Sequence, residues 1–590
     1  MMSWRTKSVL LLTSAIVAGG APAASGARIE ELLDPAAVAA SACGRRGQDA
    51  AAFKLTRIAL AKPAAATGAD AAPPLWDGLG ALSHPITTGS EEAQRYFDQG
   101  LRLTYAFNHA EAWRAFRQAQ ALDPGCAMCF WGEAFVLGAN INAPMEQDAV
   151  RPAFLALTNA KARAGNATQA EQALIDALSK RYASGPDADG AALAMAYADA
   201  MAEVHAQYPD DQDIAVLFAD AVMNTSPWDY WETDGVTPKG RLGEAVAAIE
   251  GVLAANPEHP GAIHLYIHLT EASAAPERAA PHADRLAALM PAAGHIVHMP
   301  SHTYYRIGRY LDALETNVAA VAADEAYLAQ VEASGAYPYG YYPHNIHFAL
   351  VSAFMAGDAE RAMWAASRLD GKVQDEVAAE IGWIQLIKQG PYFVHAHLSE
   401  PDTVLAIADP GDRFPLVKAM WHYARGVALA GKGEPEQARS EAARIAEIAQ
   451  THDPDTAYPP DIAAIANDTM AIARHVVEAR IAQAEGDLAR ATAEFKTAVQ
   501  IQDSLAYLEP PFWYYPVRQS LGAALLMAGR AAEAEEVLRQ SLLDAPNNGW
   551  ALYGLMQAQE AQGDEAAAAV TAKLFGKAWA GAAPPDLARL

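Results

Sequence analysis

The chain has 590 residues, of which 52% are hydrophobic and 19% are charged, and it carries a formal net charge of −27. This supply of apolar side chains is sufficient for a large buried core. The acidic balance argues against nucleic acid as a partner, because phosphates require clustered lysine and arginine. It is compatible with cationic ligands, including metal ions.

Residues 1–27 are predicted to be a secretory signal peptide. Arg5 and Lys7 give a positive start, an apolar run follows, and small residues such as Ala21 and Ala23 end the segment. The run is too short to cross a bilayer as a mature helix, and no later segment has about 18 uncharged apolar residues in a row. The sequence therefore predicts a periplasmic or secreted protein that does not span the membrane when mature.

Residues 28–90 are rich in alanine and proline and show little periodicity. This composition predicts an extended or loosely packed N-terminal arm, in which Pro73–Pro74 and Leu75–Trp76 are possible docking points.

Cys126 and Cys129 form a C-x-x-C pair. In an oxidising compartment such a pair favours a local disulfide, or two buried thiols at the start of a helix. A redox or metal-binding role is the alternative interpretation.

From residue 91 onward, small and bulky residues recur with a period of about 34 residues, which is the length of a helix–turn–helix repeat. In a unit that begins at Ala93, the pattern is carried by Tyr96, Gly100, Phe116 and Pro124. Small residues in this pattern allow the two helices of a unit to approach closely. Further units begin at Pro260, Gly294, Pro343, Ala419, Ile472, Tyr515 and Gly549.

This pattern resembles the tetratricopeptide repeat (TPR) superfamily over most of residues 91–580, and the segment His298–His302 is similar to segments of its secreted bacterial branch. The resemblance implies an all-α, right-handed, TPR-like helix–turn–helix solenoid that binds a ligand or protein in a concave groove. We divide it into an N-terminal helical region at 91–255, central repeats at 256–400 and C-terminal repeats at 401–580.

Two histidine pairs are separated by one repeat length. His264 and His268 form the first pair, and His298 and His302 each follow their counterpart by 34 residues. Residues four apart share one face of a helix, and equivalent positions of adjacent repeats become neighbours in space. The four imidazoles are therefore expected to converge on one patch.

The TPR resemblance extends this patch, because it implies that repeat positions 2, 5, 9 and 12 face the groove. Seven histidines and one glutamate occupy those positions in the units that begin at Pro260, Gly294 and Pro343. Neutral imidazole is the commonest biological metal ligand, and glutamate supplies a harder oxygen donor. The predicted metal ligands are His264, His268, Glu271, His298, His302, His344 and His347.

Four further residues are predicted to support these ligands or a bound substrate. Tyr305 and Arg306 lie one helical turn beyond the second histidine pair, and Asp229 belongs to an aromatic loop that precedes this wall. Such groups would hydrogen-bond a substrate or a ligand imidazole, or complete the set around the ion. His295 occupies a groove-facing position and belongs to the same group.

The predicted ligand set suits zinc, copper, iron or manganese, with one or two ions, and an ion with open positions would activate water or dioxygen. A metal-dependent enzyme and a metal-binding protein both fit this prediction. The alternative is a TPR scaffold that binds a partner protein or peptide without metal. A metal site requires the ligand atoms to converge about 2.0–2.2 Å from one point, whereas a peptide groove would spread them along its length.

Overall fold

The computed structural model describes residues 72–183, 189–331, 337–380, 382–451, 460–505 and 507–590. These parts of the chain are mostly helical, and they contain no β-strand. Consecutive helices pack against each other along the chain. The predicted all-α, TPR-like solenoid is confirmed. The predicted signal peptide at 1–27 and residues 28–71 of the predicted arm lie outside the described residues.

The N-terminal region forms helices α1 to α8. Gly100 on α1 faces Phe116 on α2, where a Cβ atom would lie 2.6 Å from the ring, so this close approach requires glycine. The helices are α1 Glu91–Tyr105, α2 His109–Leu122, α3 Ala127–Val136, α4 Val150–Arg163, α5 Gln169–Leu178, α6 Gly190–Gln207, α7 Gln212–Met223 and α8 Leu242–Ala255.

The central region forms helices α9 to α18. One predicted helix is divided at Met299 because Pro300 has no N–H to donate, although the backbone at Met299 keeps helical angles. The helices are α9 Pro260–Glu271, α10 Ala280–Leu289, α11 Gly294–His298, α12 Pro300–Arg306, α13 Tyr310–Leu328, α14 Tyr342–Ala356, α15 Ala359–Lys372, α16 Asp375–Glu380, α17 Ile384–Lys388 and α18 Gly390–Leu398.

The C-terminal region forms helices α19 to α27. Ala438, Ala491 and Ala534 occupy the same repeat position and are 0% exposed, which allows each helix to pack closely on its partner. Gly529 has φ 72° between α24 and α25, in the left-handed region that favours glycine. The helices are α19 Pro401–Leu405, α20 Pro415–Gly431, α21 Pro435–Thr451, α22 Pro460–Ala484, α23 Leu488–Ser504, α24 Val517–Met527, α25 Ala531–Asp544, α26 Gly549–Ala561 and α27 Glu565–Ala578.

Two large apolar cores meet in the central region. The N-terminal core contains Phe107, Tyr304 and Tyr341. The C-terminal core contains Tyr305 and Phe348 and extends to the last helices. The residues between about 294 and 348 therefore belong to both halves of the solenoid, and the predicted histidine patch lies at this junction.

Residues 72–90 follow an extended path along the N-terminal helices, held by buried carboxylates. Asp98 on α1 accepts hydrogen bonds from the Ser83 hydroxyl at 2.7 Å and the His84 amide at 3.1 Å. Glu171 on α5 accepts two more, from the amide and hydroxyl of Thr87, both at 2.6 Å. This part of the predicted arm is thus fixed to the solenoid.

Cys126 and Cys129 form a disulfide at the beginning of α3, and both are buried. Among the described residues, no helix combines the length and the apolar character that crossing a bilayer requires.

Candidate metal centre

Six histidines gather into two groups of three. The first trio is His264 and His268 from α9 with His295 from α11, and the second trio is His298 from α11, His302 from α12 and His344 from α14. Within each trio, one nitrogen from every ring lies within 4.8 Å of the others.

Local sequence explains how the helices present these rings. His259 caps the first turn of α9 by accepting from the Ala262 amide at 3.1 Å, and Pro260 follows at the first helical position. The i, i+4 spacing then places His264 and His268 on one face. In the next repeat, the backbone keeps helical angles at Met299, between α11 and α12. His298 and His302 therefore also lie on one face.

The ring nitrogens are separated by distances that suit ligands of one ion. His264 Nε2 lies 3.1 Å from His268 Nε2 and 3.2 Å from His295 Nε2. In the second trio, His298 Nε2 lies 2.8 Å from His302 Nε2. Three nitrogens at about 2.0–2.1 Å from a tetrahedral ion would stand about 3.3 Å apart. These three separations are close to this spacing.

Hydrogen bonds on the far side of the rings fix the tautomers of two histidines of the first trio. His264 donates from Nδ1 to the Tyr105 carbonyl oxygen at 2.6 Å, and His268 donates from Nδ1 to Glu271 Oε1 at 2.7 Å. Both acceptors lack a proton to give, so each neutral ring carries its hydrogen on Nδ1. The two Nε2 atoms therefore present lone pairs to each other.

Two histidines of the second trio are fixed in the same way. His302 donates from Nδ1 to Glu271 Oε2 at 2.6 Å. His298 donates from Nδ1 to Asn317 Oδ1 at 2.6 Å, and the Asn317 amide is oriented by its own donation to the Ala313 carbonyl at 2.7 Å. In the neutral rings, two Nε2 lone pairs again face each other.

Glu271 serves both trios at once. Its two carboxylate oxygens accept from one histidine of each trio, and the side chain is fully buried. Burial alone would raise the pKa of this carboxyl, but electrostatic attraction to the His302 imidazole and the hydrogen bonds from His268 and His302 outweigh it and hold the pKa at about 2. The buried carboxylate is therefore ionised, acts only as an acceptor, and favours a cation nearby.

Burial has the opposite effect on the imidazoles, because desolvation disfavours the charged ring. Desolvation is the largest cause in every case, and neighbouring histidines add repulsion. The rings whose pKa is lowered are His264, His268, His295, His298 and His344.

Facing lone pairs repel unless a proton or a metal ion lies between them. In the first trio, the lowered pKa of His264 and His268 disfavours the proton. A metal ion bound to the Nε2 atoms removes the repulsion and also balances the buried negative charge of Glu271. The arrangement is that of neutral imidazole ligands oriented by outer acceptors.

Each trio is covered by one phenylalanine. Phe107, with φ 53°, lies 4.4 Å from the ring centroid of His264 and 5.5 Å from that of His295. Phe348 lies 4.8 Å from His302 and 5.1 Å from His298, again between ring centroids. The apolar rings exclude water and lower the local dielectric, which strengthens metal–ligand electrostatics.

The two trios are adjacent. The ring centroids of His268 and His302 are 5.7 Å apart, and those of His295 and His298 are 5.8 Å apart. Glu271 also links the trios through its two oxygens. Two ions held by these rings would therefore be neighbours able to share a small ligand.

Segments between and after the repeats cover the wall on which these residues lie. Trp228, from the aromatic loop, packs edge-on to His268 at 5.2 Å, and Tyr341 packs on His295 at 4.6 Å between ring centroids. The Tyr507 hydroxyl lies 3.5 Å from Glu271 Oε2. The histidine patch is thus interior rather than an open groove, because the chain itself occupies the concave side.

The structure separates the predicted ligands. Five of the predicted histidines lie in the trios, whereas Glu271 lies behind two of them. His347 points away and hydrogen-bonds to the Tyr514 hydroxyl through Nε2. His295, predicted only to support the site, provides one corner of the first trio. The assignment of any of these residues to a metal stays a prediction.

The remaining predicted residues lie around the trios. Arg306 donates to the backbone carbonyl of Glu271 at 2.8 Å, and its guanidinium lies over the Tyr507 ring. Tyr305 packs against Phe348. Asp229 forms an ion pair with Lys239 and does not reach the trios. The aromatic loop contacts His268 through the neighbouring residue, Trp228.

Sequence reasoning missed several residues that shape the site. Phe107 comes from another repeat, Asn317 from the second helix of the repeat that holds His298, and Tyr507 from a segment between repeats, and only their contacts reveal them. A third cluster, His84 with Asp211 and Asp213, was also missed. In that cluster Asp213 pairs with His84 at 3.0 Å and with His259 at 3.3 Å, and these ion pairs fix the arm to α7 and α9.

No family model matches the chain, and no curated protein sequence matches it. Similar solved structures include the P58(IPK) TPR domain, at 12% identity over 80% of this chain and 98% of that chain, with a TM-score of 0.22. Yeast Tom70 has 11% identity over 83% and 93%, with a TM-score of 0.26. Naa15/Naa10 bound to HypK-THB has 13% identity over 82% and 70%, with a TM-score of 0.21. At these values the likeness carries no argument.

Proposed function

We propose that this protein holds two copper ions, one in each histidine trio, and is an exported enzyme that reduces dioxygen bound between them. The observation that supports this proposal is the pair of facing Nε2 lone pairs in each trio, at 3.1 Å in the first and 2.8 Å in the second. Such pairs require a cation to be stable, and the outer hydrogen bonds already hold the rings in the metal-binding tautomer.

The ligand chemistry favours copper over the other metals that the sequence allows. All six donors are imidazole nitrogens, and Glu271 is engaged with two Nδ1 atoms. Manganese and iron sites generally include carboxylate ligands, whereas imidazole alone suits copper and zinc. Trp228, Tyr341 and Tyr507 surround the trios with oxidisable rings, which supports a redox ion rather than zinc.

Three protein ligands leave each ion with open coordination positions. Because the trios are adjacent, a single small molecule can bridge both ions. Two Cu(I) ions, one in each trio, would supply dioxygen with one electron apiece, and Phe107 and Phe348 would keep bulk water from the site. The residues of this chain thus supply neutral ligands, orientation and exclusion of solvent.

An exported location fits the same proposal. The N-terminal segment has the composition of a secretory signal, and a disulfide joins Cys126 to Cys129. Disulfides persist in oxidising compartments such as the periplasm. Fractionation of cells, with detection of the protein in periplasm and medium, tests this part independently.

A TPR scaffold without metal is the alternative. The helical-repeat fold supports partner binding in general, but a peptide has no room at the histidines because Trp228, Tyr341 and Tyr507 already cover them. A partner would need a different surface of the solenoid. Binding of a protein partner would also leave the facing lone pairs unexplained.

The decisive experiment is metal analysis of the purified protein after anaerobic loading with Cu(I). We expect two copper ions per chain, oxygen uptake on exposure to air, and an oxidised form whose EPR signal is weak because two bridged Cu(II) spins cancel. Copper content below one ion per chain, or an EPR signal equal to the total copper, contradicts the binuclear centre. Loading with Zn(II) in parallel shows whether the site discriminates between the two metals.

A further inference from the structure

A row of aromatic rings leads from the first trio to the protein surface. Tyr341 lies 4.6 Å from His295, Tyr337 lies 6.0 Å from Tyr341, Tyr327 lies 5.2 Å from Tyr337, and Trp76 lies 5.5 Å from Tyr327, all between ring centroids. Tyr341 and Tyr337 are buried, whereas Tyr327 and Trp76 are partly exposed. We name these four residues the aromatic chain.

Carboxylates accompany the aromatic chain. The Tyr337 hydroxyl donates to Asp324 Oδ1 at 2.7 Å. Tyr327 hydrogen-bonds to the Glu111 side chain, and the Trp76 indole N–H donates to Glu111 Oε1 at 3.3 Å. A phenol gives up an electron far more readily when a base can take its proton at the same time. Asp324 and Glu111 are placed to do so.

The rings around the trios differ in redox character. Phe107 and Phe348, which cover the imidazoles, resist oxidation, whereas tyrosine and tryptophan do not. The aromatic chain contains only the oxidisable types and leads outward without interruption. Trp228 is a rival, because it contacts His268 and is itself partly exposed. Its indole N–H donates to the Ile141 carbonyl at 3.1 Å, and a carbonyl is a far weaker base than a carboxylate.

We infer that the aromatic chain carries electrons, one at a time, from a one-electron donor in solution to the metal centre while dioxygen is reduced. This inference rests on the copper centre proposed above. Such a path requires three features: contacts between neighbouring rings, a histidine of the centre at one end, and a partly exposed indole at the other.

The electron balance requires an external supply. Reduction of dioxygen to two water molecules breaks the O–O bond and takes up four electrons and four protons, and the protons come from hydronium or buffer acid in the solvent. Two Cu(I) ions give two of these electrons and become Cu(II). The aromatic chain supplies the other two electrons, one at a time. Tyr341 gives an electron to the centre and is then reduced by Tyr337. Tyr327 reduces Tyr337, and Trp76 reduces Tyr327. The external reductant finally reduces Trp76. The same donor returns Cu(II) to Cu(I).

Proton movement stays local. While Tyr337 lacks its electron, its phenolic proton rests on Asp324, 2.7 Å away, and it returns when the electron does. Glu111 holds the proton of Tyr327 in the same way. Neither Tyr337 nor Tyr327 is therefore left with a net charge during transfer.

Rapid freezing tests the inference. Full-length protein loaded with Cu(I) is mixed with dioxygen without any reductant, frozen after increasing delays, and its radicals are measured by EPR. Samples with ring-deuterated tyrosine separate tyrosyl from tryptophanyl signals. We expect a tryptophanyl radical from Trp76 in the wild type. Tyr337→Phe should reduce it severalfold and increase oxidation of residues near the trios, as measured by peptide mass mapping.

Tyr553→Phe is the matched control, because Tyr553 packs against Phe575, outside the aromatic chain. Tyr327→Phe removes a partly exposed residue of the aromatic chain, and it is the variant to test if Tyr337→Phe does not fold. An unchanged tryptophanyl signal in both chain variants overturns the inference, as does its loss in Trp228→Phe. Copper content is measured on the same samples. If two copper ions are bound but no tryptophanyl radical forms, electron transfer through the aromatic chain is refuted and the metal centre is not. If no copper is bound, the metal centre is refuted as well.

Discussion

The two trios use the same ligand chemistry but differ in their surroundings. The rings of the first trio are all buried, and one of them is oriented by a backbone carbonyl, that of Tyr105. In the second trio, His344 is partly exposed and the side chain of Asn317 replaces the carbonyl. The first trio is therefore the more enclosed of the two.

The two trios also lie against different apolar cores. The first trio lies under Phe107 of the N-terminal core, and the second lies under Phe348 of the C-terminal core. Glu271 connects the halves because each of its oxygens orients a histidine of a different trio. The comparison shows that one buried carboxylate, rather than a shared histidine, unites the centre.

The largest expected effect comes from removing one ligand from either trio. His268→Ala should empty the first trio and reduce the copper content from two ions per chain to one. His302→Ala should give the same copper content by emptying the second trio. In each case the two remaining imidazoles hold an ion poorly. Elemental analysis gives the content. His282→Ala, which changes a histidine outside both trios, is the control. Two ions retained in both variants would refute the assignment of the trios.

Glu271→Gln tests the connection between the halves. The amide keeps the shape of the side chain but can accept from only one Nδ1–H and loses the negative charge. We expect copper affinity to fall about 10–100-fold, the usual cost of losing an outer partner, and to fall in both trios together. Competition with a Cu(I) chelator measures it. Weakening of one ion only would show that the two halves are independent.

The apoprotein should lose stability as the pH falls below 6.5. Burial holds the pKa of five trio histidines below that of the unfolded chain, so the unfolded state takes up protons first. Each such histidine removes up to about 1.4 kcal/mol from the free energy of unfolding per pH unit below 6.5. We expect the thermal midpoint to fall from pH 7.5 to 5.5.

A variant with His264→Leu and His298→Leu sharpens this comparison. It lacks two of the histidines with a lowered pKa and should show a shallower pH dependence than the unaltered chain. His347 and His397, whose pKa burial lowers to about 3, maintain part of the slope. An identical slope in both proteins would show that the trio rings do not control acid stability.

The smallest expected effect is that of His347→Phe. His347 was predicted to be a ligand, but its Nε2 hydrogen-bonds to the Tyr514 hydroxyl, so copper content should remain at two ions per chain. Only a small loss of stability is expected, because the Tyr514 hydroxyl loses one partner but still donates to the Leu386 carbonyl oxygen at 3.2 Å, and one hydrogen bond contributes about 0.5–1.5 kcal/mol. Loss of an ion in this variant would place His347 in the centre.

The sequence by itself determined the fold and the position of the patch. The period of about 34 residues fixes which helices are neighbours, and the i, i+4 spacing fixes which side chains share a face. From these two rules alone, His264, His268, His298 and His302 were expected to converge, and the structure places them together. Small residues such as Gly100 and Ala534 likewise follow from the close approach of paired helices.

Only the tertiary structure decided how the histidines divide and what each one does. His295 and His347 both occupy groove-facing repeat positions in the predicted pattern, yet one completes a trio and the other contacts Tyr514 from the C-terminal region. Glu271 accepts from two rings because those rings converge on it from different helices. The physical reason is that periodicity specifies the face of a helix, whereas tautomers, coverage and access depend on atoms brought from distant repeats.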